Sequence, residues 1–176
     1  MDHDHSLDEI DQIVAFWRTE NPALDVTTKQ LAMRLRRGAQ VLERAMRQDL
    51  AATGVDEFWE IEVLLSLKRA PDNRRSAGEL MREAHVTSGA ITNRISRLEQ
   101  RGWVRRDVDP EDRRQVLVSL TPEGVTRANR VIATKNQTEQ RVFGGVDRDL
   151  LERLNNDLRA LVASMETHDT GPVVPI

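Results

Sequence analysis

The stretch from Val86 to Leu120 constrains the fold more than any other part of this chain. Thr87 is a suitable N-cap, and a helical pattern then runs to Arg101, where Gly102 ends it. One side of this helix is apolar and must pack against the molecule, through Ile91, Ile95 and Leu98. The opposite side carries small residues and side chains with amide or guanidinium groups, namely Ser88, Gly89, Thr92, Asn93, Ser96, Arg97 and Gln100.

Two short β-like runs follow this helix and enclose a charged turn. The first run is WVRR at 103–106, the turn is VDPEDRR at 108–114, and the second run is QVLVSL at 115–120. Ser76 and Glu79 form a capping box that predicts a helix before the turn AHVT, with a brief strand at Arg75. This order of helix, turn, helix, strand, charged turn and strand predicts a mainly α fold with a small two- to three-stranded β-wing. Such a fold is a winged helix-turn-helix.

The helix and the charged turn carry side chains that suit contact with nucleic acid. Amide and guanidinium groups read base edges in pairs of hydrogen bonds, and small residues allow close approach. The alternative to nucleic-acid contact is an ordinary solvated face formed by Asn93, Arg97, Arg113 and Arg114. Residues 68–114 hold 12 basic and 8 acidic residues, a local charge of +4, whereas the rest of the chain carries −7. A basic centre on an acidic body favours the nucleic-acid interpretation.

Helical patterns flank this unit on both sides. A first helix starts near Leu7 and ends before Pro22, a long one runs from Asp25 or Thr27 to about Leu50, and Asp56 caps a third. After the wing, Thr121 and Pro122 start a helix to about Arg141, and Asp147 starts the last one. The predicted organisation is N-terminal dimerisation helices at 1–54, a DNA-binding unit at 55–120, C-terminal dimerisation helices at 121–168 and a tail at 169–176.

The terminal helices carry apolar stripes that look too long to bury within one domain of this size. The last helix alone presents one side made of Leu150, Leu154, Leu158, Leu161 and Met165. We therefore expect a homodimer, and the alternative is packing within a single bundle. A two-fold dimer presents two recognition helices and prefers palindromic sites with half-sites about one helical turn apart.

Several classes of function are disfavoured by composition and motifs. The chain contains no cysteine, which excludes disulfides and thiolate metal sites. We find no pairing of a nucleophile with a base, no metal-ligand spacing and no phosphate-binding glycine loop, so no enzyme, cofactor or metal is expected. His3 and His5 could hold a metal weakly, but a mobile tail is the simpler interpretation. Without a signal peptide or membrane span, we expect a cytoplasmic protein.

The string SGAITNRISRLEQRGWVRRDVDPEDRRQVLVSLTPEG resembles the DNA-binding core of the MarR family of transcription regulators. That family shows S-x-x-T-x-x-[IL]-x-x-L-E-x-x-G, then D-x-D-R-R and L-T-x-x-G, and the resemblance covers residues 55–130. It implies a recognition helix in the major groove and a wing tip in the minor groove. Arg113 becomes the wing-tip arginine, while Arg114 either bridges Asp112, which we favour, or contacts DNA. The implied groove or phosphate contacts of the helix are Ser88, Thr92, Asn93 and Arg97.

Arg94 lies at the edge of the apolar stripe, so we expect it to point partly inward and to need an anionic partner, for which Glu62 is the candidate. The chain also resembles a urate-responsive subgroup with an extra N-terminal helix. That resemblance implies a pocket for urate or a related anion, formed by Trp17, Glu62, Arg94 and Arg106. Glu62 stands where the subgroup has aspartate, so a small carboxylate is an equal possibility. For Trp17, packing in the core stays open as the alternative. For Arg106, the alternatives are a phosphate contact and a solvated position on the strand.

The function implied is a homodimeric transcriptional repressor that a small anionic metabolite releases from a palindromic operator. An anion that competes for Arg94 and Arg106 would pull on the recognition helix and disfavour the half-site spacing that DNA requires. The alternative is a winged-helix module that binds proteins and has no sequence-specific DNA binding.

Overall fold

The computed structural model describes residues 7–110 and 112–168. The predictions for His3, His5 and the tail at 169–176 lie outside these residues. The described chain is mainly helical with one small antiparallel sheet, so the predicted fold class is confirmed. Its residues form two compact units that divide between Arg47 and Gln48. No described helix is both long and apolar enough to cross a bilayer.

The first unit is built from helix α1 (Glu9–Glu20) and most of helix α2 (Val26–Leu50). Asp8 caps α1 and forms a reciprocal capping box with Asp11, so the predicted first helix is confirmed. Arg34 of α2 donates to both carboxylates, at 2.7 Å to Asp11 and 3.2 Å to Asp8. The hydrogen bond from Arg34 and the one from the Asp8 backbone hold the pKa of Asp11 below its usual range.

The second unit contains the winged helix and two long helices. Its elements are α3 (Phe58–Arg69), β1 (Arg74–Ser76), α4 (Ala77–Glu83), α5 (Ser88–Gln100), β2 (Val104–Val108), β3 (Val116–Leu120), α6 (Pro122–Phe143) and α7 (Arg148–His168). The sheet order is β1-β3-β2, with both pairings antiparallel. β1 pairs Arg74 with Ser119, which confirms a strand near Arg75. The turn between β2 and β3 is the tip of the wing.

The core of the second unit lies where α3, α5, α6 and the sheet meet. α3 contributes Leu64 and Leu67, α5 contributes Leu98, and β3 contributes Val118, all fully buried. The predicted apolar side of α5 is the buried one, since Ile91, Ile95 and Leu98 are buried and no other residue of that helix is. Burial of this stripe fixes which side of α5 faces outward.

Local capping signals set most of the helix boundaries in the second unit. Thr87 caps α5, Thr121 caps α6, and Ser76 forms its capping box with Glu79, all as predicted. Asp56 was predicted to cap α3, and that prediction is wrong by one residue. Glu57 is the N-cap, because the Glu60 side chain turns back to accept from the backbone N–H groups of Asp56 and Glu57.

The long helices expose apolar side chains that nothing in the described chain covers. α7 has no buried residue, and α6 and α7 together leave partly bare the large side chains of Ile132, Phe143, Leu154, Leu158, Val162 and Met165. In α2 the large apolar side chains are buried only toward the end of the helix, at Met46 and Leu50, while Leu31 is exposed.

Candidate nucleic-acid interface

The outer side of α5 carries the predicted groove contacts together. Ser88, Thr92, Asn93 and Arg97 are all exposed. The Thr92 hydroxyl donates to the Ser88 carbonyl at 2.7 Å, and the Ser96 hydroxyl donates to the Thr92 carbonyl at 2.9 Å. These bonds stay within the helix, so the outer face keeps its amide and guanidinium groups available to a ligand in front of it.

Trp59 of α3 lies beneath two arginines of α5. The guanidinium carbon of Arg97 is 5.0 Å from the ring centroid of Trp59, and that of Arg94 is 5.5 Å from it. Arg94 is half-buried, as its position on the helix predicts. Its Nη1 is buried and has no hydrogen-bond partner in the part of the chain that the structure describes. The indole of Trp59 is therefore in contact with both guanidinium groups, and Arg94 retains an N–H donor that no described residue uses.

The prediction that Glu62 pairs with Arg94 is wrong. Glu62 is exposed on α3 and makes no hydrogen bond or ion pair with any described residue, and Arg94 has turned to Trp59 instead. Glu62 lines a pocket of about 370 Å³, together with residues that include Phe58, Leu65 and Lys135. The pocket contains none of the other predicted ligand residues.

Glu83, which also lines this pocket, keeps its negative charge. Burial would raise its pKa, but hydrogen bonds from the Ser66 hydroxyl and Arg69 together outweigh burial, and the pKa is lowered. The pocket therefore has one carboxylate that is already paired and one, Glu62, that is not.

Arg106 ties the wing to the recognition helix. From β2 it donates through Nη2 to the Ser96 hydroxyl, and its Nε lies 3.1 Å from Glu99 Oε2. This Nε is buried and has no hydrogen-bond partner among residues 7–110 and 112–168, so its contact with Glu99 is an ion pair without hydrogen-bond geometry. Arg106 thus touches α5 on the turn next to Arg94 and Arg97.

The wing tip presents its arginines to solvent. Arg113 and Arg114 are both exposed, and neither pairs with a described residue through its guanidinium. We expected Arg114 to bridge Asp112 through its side chain, and this is wrong. The Asp112 carboxylate instead accepts from the backbone N–H of Arg114, at 3.0 Å, which closes the turn. Arg114 lines a cleft together with Arg82 of α4.

Trp17 belongs to the first unit, where it lies on α1 with 40% of its surface exposed. Lys29 Nζ is 5.1 Å from its ring centroid, and the Phe16 ring meets it edge-on with 5.5 Å between centroids. Its predicted meeting with the residues of the second unit stays a prediction. In the described residues no cluster of His, Asp or Glu is arranged to hold a metal ion.

A buried ion pair that the sequence did not indicate fixes the end of α5. Arg101 Nη1 lies 2.8 Å from Glu60 Oε1 and 3.0 Å from Asp56 Oδ2, and Glu60 is 0% exposed. The Arg101 guanidinium also stacks 4.0 Å from the centroid of the Trp103 ring. Its partners are up to 47 residues away in sequence, so only the fold reveals the pair.

Comparison with known proteins decides what this arrangement is. The sequence pattern of the MarR family matches residues 57–115, the segment that holds α3 to the wing. The transcriptional regulator PecS of Dickeya dadantii is 31% identical over 162 residues, which cover 91% of this chain and 94% of PecS. The chain belongs to the MarR family. It is a DNA-binding transcriptional regulator of that family, and its relatives are regulators, not enzymes.

Solved structures show the same fold as this MarR family chain. A MarR family regulator from Streptomyces coelicolor, solved in complex with DNA, has a TM-score of 0.69 at 23% identity over 80% of this chain and 89% of its own. BpsR of Bordetella bronchiseptica, whose DNA binding is regulated by 6-hydroxynicotinic acid, has a TM-score of 0.65 at 24% identity, with coverage of 77% and 94%.

Proposed function

We propose that this MarR family protein is a homodimeric repressor that a small anionic metabolite releases from a palindromic operator. The observation that carries the DNA part is the exposed side of α5, which presents Asn93 and Arg97 beside an exposed wing-tip Arg113. The complex of the Streptomyces coelicolor relative with DNA supports the same use of the fold. The N-terminal helices and the helices at 121–168 would form the dimer, because their apolar side chains are otherwise uncovered.

Direct DNA binding is tested by an electrophoretic mobility shift. The probe is a duplex that carries the region upstream of the protein's own gene, and the competitor is a scrambled duplex of equal length. We expect binding that the scrambled duplex does not compete away and that weakens as salt rises, because phosphate contacts release counterions. Equal affinity for both duplexes would overturn the operator proposal and favour a protein-interaction module.

We further propose that the anion binds near Arg94 and Arg106. The buried Arg94 Nη1 has an unused donor, and Arg106 reaches α5 from the wing. A ligand that draws on either arginine acts directly on the recognition helix, so it would favour a conformation that fits the operator less well. Trp17 would offer a flat face to a planar ligand such as urate, and the free carboxylate of Glu62 would accept a ligand N–H.

Release by candidate anions tests this ligand proposal. Urate, related purines and small di- and tricarboxylates are titrated into the protein–DNA complex of the wild type, Glu62→Gln and Arg94→Ala. We expect release from the wild type at a lower ligand concentration than from either variant, while Glu62→Gln keeps its DNA affinity. Release of all three at one concentration would place the ligand elsewhere. BpsR supports small aromatic carboxylates as further candidates.

A further inference from the structure

Two arginines of α5 that face different partners share one aromatic ring, that of Trp59. Arg97 is exposed on the side that we assign to DNA, and Arg94 is half-buried and assigned to the ligand. They are one helical turn apart, so both point toward the same place on α3. Trp59 meets both, at 5.0 Å and 5.5 Å from its ring centroid, and is itself half-buried.

A guanidinium that stacks on an indole keeps its hydrogen-bond donors, because they lie around its edge. The stacked face satisfies the cation without consuming an N–H, and an edge remains for a base or a phosphate. Arg97 forms no ion pair or hydrogen bond through its side chain with a described residue, so the indole is what orders its head. An arginine that is ordered before DNA arrives loses less conformational freedom on binding.

We propose that Trp59 is a positioning residue that orients Arg97 for DNA and connects it to Arg94. This inference rests on the proposed function, and it adds the contact through which the ligand signal reaches the DNA-reading side chain. An anion that draws Arg94 away removes one of the two groups packed on the indole. The ring then shifts, and Arg97 loses the support that holds it in the reading position.

The size of Trp59 and its place on α3 explain why one residue serves both arginines. Among the side chains, Trp has the strongest attraction for a cation over its face. Phe keeps an aromatic face with a weaker attraction, and Leu keeps apolar bulk with none. The expected order of operator affinity is therefore wild type, then Trp59→Phe, then Trp59→Leu, whereas a role in packing alone would allow Leu to replace Trp as well as Phe does.

Double-mutant cycles on operator affinity test the proposal in the full chain. We expect Trp59→Leu to weaken binding roughly tenfold, within the range that such contacts reach, and Trp59→Leu with Arg97→Ala to be no weaker than Arg97→Ala alone. The loss from Arg94→Ala should likewise shrink in the Trp59→Leu background. Arg113→Ala is the control, because it lies on the wing, and its loss should multiply with that of Trp59→Leu.

The stack itself is tested without DNA by fluorine NMR of the chain labelled with 5-fluorotryptophan. Its three tryptophans give three signals, and Trp59→Phe assigns one of them. Arg94→Ala and Arg97→Ala should each move the Trp59 signal, and Arg113→Ala should not. If the wild type fails to bind the operator, the DNA proposal fails while this result still stands. If the signal moves with neither arginine, or if all the losses multiply, Trp59 does not position Arg97.

Discussion

Arg97 and Arg113 lie in different surroundings, so we expect their substitution by alanine to reduce DNA affinity in different ways. Arg97 is stacked on Trp59 at the side of the recognition helix, so Arg97→Ala should cost about 1–3 kcal/mol of operator binding and relax preference at one base pair. Arg113 is exposed at the wing tip, where Arg113→Ala should weaken binding chiefly to sites with a narrow minor groove.

Affinities for a panel of operators with single base changes, and with A-tracts under the wing, distinguish these two effects. Arg148→Ala is the matched control, because Arg148 is an exposed arginine of α7 whose one partner among the described residues is Glu152. The control removes one positive charge far along the chain from the basic segment. Wild-type affinity in both Arg97→Ala and Arg113→Ala would contradict the assignment of DNA contacts to α5 and the wing.

Glu60 and Arg101 show why a buried charge needs its partner. Arg101→Met leaves the fully buried Glu60 carboxylate without its cation, so we expect a loss of roughly 3–5 kcal/mol in the free energy of unfolding. Adding Glu60→Gln should recover part of that loss, because a neutral amide is easier to bury and still accepts a hydrogen bond. Urea denaturation measures both, and a double variant less stable than Arg101→Met would contradict the explanation.

At the scale of elements, the junction between β2 and α6 depends on the absence of a side chain. A Cβ at Gly124 would overlap the backbone oxygen of Trp103, the same oxygen that accepts from the Thr121 backbone N–H at 3.0 Å. Gly124→Ala should therefore force the first turn of α6 away from β2 and destabilise the protein by about 1–3 kcal/mol.

Thermal unfolding of Gly124→Ala beside Gly89→Ala checks this explanation. A Cβ at Gly89 meets nothing within 4 Å, and Ala favours a helix more than Gly does, so that control should be neutral or stabilising. Equal melting temperatures for Gly124→Ala and the wild type would show that the junction adjusts without cost.

The elements themselves were predictable because their signals are local. Thr87, Ser76 with Glu79, and Thr121 with Pro122 mark helix starts within a few residues, and the structure confirms each. Asp56 failed as a cap because Glu60, one turn further, turns back onto the helix start and Glu57 takes the N-cap position.

The candidate site was less predictable, since its contacts join distant segments. The helical periodicity of α5 correctly placed Arg94 partly inward, and a guanidinium in that position needs an interaction partner. We named Glu62 as that partner, whereas Trp59, three residues earlier on α3, is the residue in contact. Trp59 is one of three tryptophans in a chain with only 3% aromatic residues, and this scarcity was the available signal. The pairing of Arg101 with Glu60, separated by 41 residues, had no local signal at all.

At the scale of the whole molecule, α7 has no buried residue, and its apolar side needs a partner. If that partner is a second copy, deletion of residues 147–176 should leave a monomer or an aggregate that no longer binds the operator tightly. Sedimentation and mobility shift measure the two properties together. A soluble truncated dimer with full DNA affinity would place the dimer interface elsewhere.

Among the described residues, the hydrogen bonds and ion pairs that join α5 to other elements all lie in its C-terminal half. Ser96 and Glu99 meet Arg106, and the residue after the helix, Arg101, meets Glu60, whereas the bonds of Thr87 and Thr92 stay local. If α5 tilts about this end, the pivot lies near Arg101, about 20 Å from Ser88 at the rise of a regular helix. A tilt of about 5° around that pivot would displace Ser88 by ~1.7 Å over this length, and Arg97 by much less. We therefore expect small tilts to disturb first the DNA contacts that we propose under the N-terminal end of α5, and last those that we propose under Arg97.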